Sequence, residues 1–315
     1  ISPPSPRAGK PRPYGVGLGA LVAGVFLLGQ GATVWARSAE AMVRAQLGAE
    51  TLDSYRQDLQ RSPLAERFGR LAFQAAEPNA VLVCDWEQAT VLWYLQQVEG
   101  QRPDLTIRYP IEALDEAMAT AGRQGRPLYV ARSLPDLAAR GVPTSVGPLL
   151  RLLPPPTSAP PPDALPVRVQ LEEGVALVGV TYHGSDFRAG GVLPLTLHWR
   201  TEQRLELDYA VSVRLLSSDA TQTFAQHDER HPALGASPTS QWPPGALVGD
   251  YHELPLGNRL APGPYRVAVV MYRPEPIRNL RRLDAPEMDF IALPPIEVGA
   301  REPSPLDPIL RLLGR

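Results

Sequence analysis

Seven prolines fall within the 13 residues 154–166 (PPPTSAPPPDALP), close to the middle of the chain. Proline fixes its own φ and lacks an amide hydrogen, so this stretch suits neither a helix interior nor a central strand. It favours polyproline II and predicts a semi-rigid, proline-rich linker. We therefore expect a folded part on each side, and the 315 residues agree with about two domains.

Composition excludes several classes of protein. Hydrophobic residues make up 44% and charged residues 20% of the chain, which is enough apolar material for folded cores. The formal net charge of −2 argues against a dedicated nucleic-acid-binding protein, so no nucleic acid is expected as a partner. The single cysteine, Cys84, excludes an intrachain disulfide.

An uncharged run of 20 residues lies at 15–34 (GVGLGALVAGVFLLGQGATV). A helix of that length covers about 30 Å, the thickness of the hydrocarbon core of a bilayer. Tyr14 and Trp35 flank the run, and the basic segment before it contains Arg7, Lys10 and Arg12. The pattern predicts a transmembrane helix over 14–36 and a lipid bilayer as partner. A cleaved signal peptide and a buried soluble helix are the alternatives.

The charges around this run also predict a location. Basic residues before a transmembrane helix favour a cytoplasmic position. We therefore expect a protein of the cell membrane, with residues 1–13 cytoplasmic and the bulk of the chain extracytoplasmic.

Residues 37–153 alternate between apolar and amphipathic stretches. Apolar runs predict strands at 80–84, 105–109 and 127–131, and helical periodicity predicts helices at about 87–99 and 111–123. Strands separated by single helices imply parallel pairing with right-handed crossovers. The sequence predicts a small Rossmann-like α/β domain.

The first of these strands is followed by Asp85, Trp86, Glu87 and Gln88, which we take as a candidate ligand edge, because ligands of parallel sheets bind beyond the carboxyl ends of the strands. Neither G-x-G-x-x-G nor a phosphate-binding loop is present, so no nucleotide cofactor is expected. Asp85 and Glu87 are carboxylates suited to acid–base chemistry or metal binding. The simpler alternative is that Asp85 caps the following helix.

After the linker the periodicity changes to two, which indicates strands with one buried face. Eight such strands predict a β-sandwich over 167–300, jelly-roll or immunoglobulin-like, followed by a tail at 301–315. The predicted strands are 167–171, 176–182, 193–200, 209–216, 223–227, 250–256, 265–272 and 290–298.

Few residues in this half suggest chemistry. His227 and His231 have the i,i+4 spacing of helical zinc ligands, but Pro232 and the strand context oppose a helix. Asp228, Glu229 and Asp250 lack the spacing of a calcium loop. Because G-x-S-x-G is also absent, no catalytic residue and no metal site are predicted.

Exposed aromatic rings are candidates for sugar contact, because the apolar face of a pyranose packs against them. Trp242, in the loop PTSQWPPG, is the best placed, followed by Tyr251 and Tyr272. The alternative for Trp242 is a buried plug at one end of the sandwich.

The stretch 78–104, PNAVLVCDWEQATVLWYLQQVEGQRPD, resembles the soluble C-terminal part of bacterial multi-spanning membrane glycosyltransferases of the GT-C, protein O-mannosyltransferase-like class. The matching features are the apolar strand, the acidic turn, LWYL at 92–95 and RPD at 102–104. The more usual Gly-Asp or Asp-Asn turn of the family appears here as Cys84-Asp85-Trp86-Glu87. The second half is similar to sandwich modules appended to exported membrane glycosyltransferases, through TLHW at 196–199 and APG at 261–263.

The resemblance implies a function. The chain would be a non-catalytic C-terminal exoplasmic portion of such a transferase, a fragment that contacts an acceptor glycan or protein and other transmembrane helices of its parent. The family's catalytic acidic residue lies in an early loop that this chain lacks, so whether the chain is an enzyme stays open. The alternative is a self-contained single-pass surface-anchored binding or scaffolding protein. A third hypothesis is a hydrolase that uses Asp85 and Glu87.

Overall fold

The computed structural model describes residues 63–155 and 159–302. The described residues from Ala65 onward belong to one compact unit. The α-helices in these ranges are α1 (Pro63–Ala75), α2 (Trp86–Gln97) and α3 (Leu114–Gln124). The strands of the first half are β1 (Val81–Val83), β2 (Thr106–Arg108), β3 (Leu128–Val130), β4 (Thr144–Val146) and β5 (Leu149–Leu153).

The second half contains further strands. They are β6 (Leu165–Gln170), β7 (Val175–Tyr182), β8 (Phe187–Arg188), β9 (Val192–Thr201), β10 (Ala210–Leu216), β11 (Thr223–Glu229), β12 (Leu247–Pro255), β13 (Gly263–Pro274), β14 (Ile277–Asn279), β15 (Ile291–Ala292) and β16 (Ile296–Gly299).

The first five strands form one mixed sheet, ordered β2-β1-β3-β5-β4. β1 pairs in parallel with β2 and β3, and α2 and α3 make the crossovers. β5 then runs antiparallel to both β3 and β4. The β4–β5 turn passes through Gly147 at φ 55°, a left-handed conformation that glycine adopts without steric cost. Gly125, at φ 62°, ends α3 in the same way.

The second half forms two sheets. A seven-stranded sheet contains the path β11-β10-β13-β16-β8 with β14 and β15 attached to β13, and a four-stranded sheet has the order β12-β9-β7-β6. Alternate residues of each strand point to the same face, and the apolar ones form the buried face. One core accordingly contains Val211 and Val213 of β10 together with Leu197 and Trp199 of β9.

The same core continues into the mixed sheet. Val83 and Val130 on one face of that sheet belong to the cluster that contains Leu197. The other face, with Leu82 and Tyr129, packs under α1 and α2 in a second cluster. The prediction of a Rossmann-like α/β domain is therefore wrong. The parallel strands have only three residues each, they continue into two antiparallel strands, and they share a core with the β-sheets.

The mixed sheet and the four-stranded sheet are joined through β4 and β12. The amide of Gly249 donates to Thr144 Oγ1 over 2.6 Å, and the amide of Tyr251 donates to Ser145 Oγ over 2.6 Å. Ser145 Oγ in turn donates to the carbonyl oxygen of Gly249 over 3.0 Å. Hydroxyl side chains of one sheet therefore bind the outer backbone edge of the other. We refer to these contacts as the β4–β12 junction.

Across residues 63–155 and 159–302, no helix is both long enough and apolar enough to cross a membrane. The predicted span, 14–36, and the basic segment 1–13 lie outside these residues, as does the tail beyond residue 302. On this finding we correct two predictions. One is the fold class that includes a transmembrane helix, and the other is the location in the cell membrane with most of the chain extracytoplasmic.

Candidate functional site

A cleft of about 690 Å³ lies between the mixed sheet and the four-stranded sheet. This volume falls in the range of roughly 300–1,000 Å³ that is common for small-molecule sites. The four-stranded sheet contributes residues of β7, β9 and β12, the mixed sheet contributes residues of β3, β4 and β5, and α1 closes one side. Residues 159–163 of the predicted linker also line the cleft, and Leu165 and Pro166 already belong to β6.

Two hydroxyl–imidazole pairs lie on the sheet side of the cleft. Thr181 on β7 faces Thr196 on β9 across the ladder. Thr181 Oγ1 lies 3.0 Å from His198 Nε2, and Thr196 Oγ1 lies 2.7 Å from His183 Nε2. Residues two apart on a strand share a face, so the four polar groups form one array on the side opposite the apolar core.

Burial sets the charge of these imidazoles. It lowers the pKa of His198 to about 4, and the charge of Asp163 opposes this shift only in part. Burial also lowers the pKa of His183, again against Asp163. Both rings are therefore neutral near pH 7, and each offers one donor and one acceptor nitrogen.

The opposite side of the cleft carries Arg151, Glu77 and Tyr129. Arg151 Nη1 donates to Glu77 Oε1 over 2.9 Å, and the Glu77 amide donates to the Tyr129 hydroxyl over 3.4 Å. Burial raises the pKa of Tyr129, so the phenol keeps its proton. Arg151 Nε is buried and has no acceptor among the described residues. A buried donor without a partner is costly unless water or a ligand supplies an oxygen.

The predicted ligand edge lies elsewhere in the structure. Asp85 occupies the N-cap position of α2 but makes no side-chain capping bond, and its carboxylate pairs with Arg132. Trp86 and Glu87 are exposed. Gln88 Oε1 is buried and has no donor in the part of the chain that the structure describes. None of these four side chains lines the cleft.

The predicted glycan contacts are mostly buried. Trp242 is 1% exposed, and its Nε1 donates to the carbonyl oxygen and to Oγ of Ser237, which is the arrangement of a plug. Tyr251 is also buried, and its ring lies edge-to-face with His183 at 5.6 Å between centroids. Tyr272 is half-buried on β13. The structure therefore does not bring these three rings together on an open surface.

The candidate metal ligands are also separated by the fold. His227 contacts His252 rather than His231. Asp250 is fully buried and accepts hydrogen bonds from His252, Trp199 and the Ala233 amide. Over the described ranges, no group of three or more His, Cys, Asp or Glu side chains is placed to hold a metal ion.

Sequence reasoning missed the polar array of the cleft, although a signal for it exists. Thr-x-His occurs twice on apolar strands, at Thr181–His183 and at Thr196–His198. Polar residues at alternate positions of two strands are expected to share a face once the strands pair. No sequence pattern marks Arg151 as part of the cleft, because its partner Glu77 lies 74 residues away in the chain.

Comparisons with known proteins leave the class of the protein open. No family model matches the chain, and no curated protein matches it. Among solved structures, the chain is similar to the C-terminal domain of wzt at 12% identity and a TM-score of 0.30, over 46% of this chain and 84% of that one. It is also similar to the Pseudomonas fluorescens alkylpurine DNA glycosylase AlkC bound to DNA containing an abasic site analog, at 13% identity and a TM-score of 0.25, over 84% of this chain and 55% of that one.

Both TM-scores are too low for these neighbours to carry an argument about function. No described helix spans a membrane, and no family model or curated protein connects the chain to membrane glycosyltransferases, so these terms have no support here. The resemblance to such enzymes stays a prediction from the sequence.

Proposed function

We propose that this chain is a binding protein whose cleft holds an uncharged, hydroxyl-rich ligand of the saccharide class. The observation that carries the proposal is the array of Thr181, His183, Thr196 and His198 on one face of the four-stranded sheet. Each hydroxyl both donates and accepts hydrogen bonds, and each neutral imidazole does the same through its two nitrogens. Such groups match the alternating donors and acceptors of a polyol.

The charges of the cleft favour a neutral ligand. The guanidinium of Arg151 is paired with Glu77, and the imidazoles nearby are neutral because burial lowers their pKa values. Asp163 is the remaining charged side chain among the residues that line the cleft. The cleft therefore has no unpaired positive charge that would attract an anionic ligand. The unfilled Arg151 Nε is a donor suited to a ligand hydroxyl oxygen.

The test is binding of the full chain to an array of neutral oligosaccharides, followed by calorimetry on any glycan that binds. Thr196→Val removes one hydroxyl of the array and keeps the shape of the side chain. We expect it to weaken binding about three- to tenfold, the usual worth of one neutral hydrogen bond.

The matched control is Thr223→Val, because Thr223 is exposed on β11, away from the cleft. This variant is expected to bind as the unchanged chain does. The proposal fails if no neutral glycan binds, or if the two valine variants bind equally while both keep the native circular dichroism spectrum.

A further inference from the structure

Three aromatic rings meet beyond the ends of β1 and β2. Trp86 begins α2 just after β1, Trp93 lies two turns further along the same helix, and Tyr109 directly follows β2. β1 and β2 pair in parallel with Val83 opposite Arg108, so the chain leaves both strands at the same edge of the mixed sheet. We call the three rings the aromatic corner.

The rings of the aromatic corner hold one another in place. Centroids lie 5.7 Å apart for Trp86 and Tyr109, and 6.4 Å for each of the other two pairs. All three pairs are edge-to-face, a favourable arrangement for aromatic rings. Trp86 remains 59% exposed and Tyr109 47% exposed, so their surfaces stay open to solvent even though the cluster is ordered by its own contacts.

Within the aromatic corner, Trp93 is partly buried against the core under α2, whereas Trp86 and Tyr109 lie outside that core cluster. The helix already buries Ala89, Leu92 and Leu95 against the sheet. The outward side of a surface helix is normally charged or polar. In α2, exposed Thr90 and Gln97 follow this rule, but Trp86 and Tyr94 are exposed as well. Exposed aromatic rings gathered at one place indicate a contact surface.

The size of the aromatic corner favours a small ligand over a protein. Fully buried aromatic side chains cover about 150–250 Å² each, so half-exposed Trp86 and Tyr109 together offer roughly 200 Å². A stable protein interface needs about 800 Å² from each partner. One or two sugar rings fit the available area.

Polar groups border the rings. Asp85, next to Trp86 in the chain, pairs with Arg132, and Arg132 also donates to the carbonyl oxygen of Ser133 over 3.0 Å. A carboxylate and a guanidinium supply acceptors and donors in fixed planes, which suits neighbouring hydroxyl groups of one sugar.

We propose that the aromatic corner is a second saccharide-binding site. A pyranose ring packs its C–H face against Trp86 and Tyr109, and its hydroxyls bond to Asp85 and Arg132. The site is separate from the cleft, since none of these residues lines it. The two sites therefore bind independently, and one can fail while the other persists.

The test is affinity electrophoresis of the full chain in native gels that contain a β-glucan, a mannan or a galactan. The proposal expects at least one polysaccharide to retard the chain, and Trp86→Ala to raise the apparent dissociation constant about tenfold or more. Tyr94→Ala is the matched control. Tyr94 is 54% exposed on the same helix but makes no ring contact within the corner, so retardation is expected to be unchanged.

Thr196→Val separates the two sites, because it alters the cleft and leaves the aromatic corner intact. Retardation that persists in Thr196→Val and is lost in Trp86→Ala supports the corner. Retardation that is lost only in Thr196→Val overturns the corner and leaves the cleft. Equal retardation of Trp86→Ala and the unchanged chain also overturns the proposal of a saccharide site at the corner.

Sedimentation tests the alternative of a protein interface. A concentration-dependent dimer that disappears in Trp86→Ala would overturn the saccharide proposal, since the corner would then be a protein interface.

Discussion

The Nδ1 atoms of His227 on β11 and His252 on β12 lie 3.1 Å apart, which links the edges of two different sheets. His252 Nε2 lies 2.8 Å from the buried carboxylate of Asp250. Because a carboxylate accepts, His252 Nε2 carries a hydrogen, and in a neutral ring its Nδ1 is then the acceptor. His227 Nδ1 must therefore donate, and the two rings share a single proton between their Nδ1 atoms.

Acid is expected to destabilise this contact. The next proton on His227 goes to its Nε2 and places a positive charge on a partly buried ring beside His252. Burial, followed by the nearby His252, lowers the pKa of His227, although Asp250, Asp228 and Glu253 oppose the shift. A histidine whose folded pKa lies below its unfolded value of 6.5 takes up more protons when unfolded in mild acid, so stability falls as the pH drops below that value.

The measurement is urea unfolding at pH 7.5 and pH 5.0. His227→Gln keeps an amide donor that does not titrate, so it is expected to lose less stability between the two pH values than the unchanged chain. Burial also lowers the pKa values of His183 and His198, which adds to the loss, whereas the raised pKa of Glu229 opposes it. Equal losses in the variant and the unchanged chain would contradict a lowered pKa of His227 in the folded state.

The titration of His198 is a second prediction. Burial lowers its pKa to about 4 from the ordinary 6.5. Stability linked to this ring is complete above pH 6.5 and is lost as the pH falls toward 4, up to about 3 kcal/mol. Nuclear magnetic resonance of the ring proton should show no titration between pH 8 and pH 5. A midpoint near 6.5 would show that the ring is solvated and not part of the array.

The β4–β12 junction predicts a severe effect of Gly249→Ala. A Cβ at this position would overlap the carbonyl oxygen of Ser145, which is backbone and cannot move aside easily. We expect a loss of about 1–3 kcal/mol in the free energy of unfolding, as for overpacked cores. Gly257→Ala is the control, because nothing lies within 4 Å of its added Cβ. The two variants should differ clearly in thermal denaturation, and similar melting temperatures would count against the junction.

Cys84 is expected to be inert in the folded chain. Its thiol is buried at the end of β1, and burial, with a smaller effect of Asp85, raises its pKa to about 12. The thiolate is the reactive form, so reaction with a disulfide reagent at pH 8 should require opening of the mixed sheet. The rate of labelling, measured with and without urea, should follow unfolding. Fast labelling of the native chain would refute this placement.

The longer strands of the second half were predictable because alternation reports burial directly, whereas the short strands β8 and β14 were missed and the predicted strand 290–298 is two strands, β15 and β16. The run 193–200 was predicted as a strand, and β9 spans Val192–Thr201. The hairpin of β4 and β5 was missed, since Leu149–Leu153 is nearly all apolar and shows no period of two. That omission explains why three short parallel strands were mistaken for a Rossmann-like domain.

The candidate sites were harder to predict because they depend on distant residues. Trp86 was singled out from its position after a strand, but Tyr109 joins it only through the parallel pairing of β1 with β2. The cleft needs the register that places Thr181 opposite Thr196, and the contact of Ser145 with Gly249, 104 residues away. Neither relation is encoded in local periodicity.

The β4–β12 junction also has a consequence for the behaviour of the chain in concentrated solution. A strand at the edge of a sheet offers unpaired amides on which the strand of another molecule can build, the first step of aggregation. β12 is such an edge strand, but Thr144 and Ser145 already occupy its amides at Gly249 and Tyr251. Two small hydroxyl side chains thus protect this edge from intermolecular strand addition.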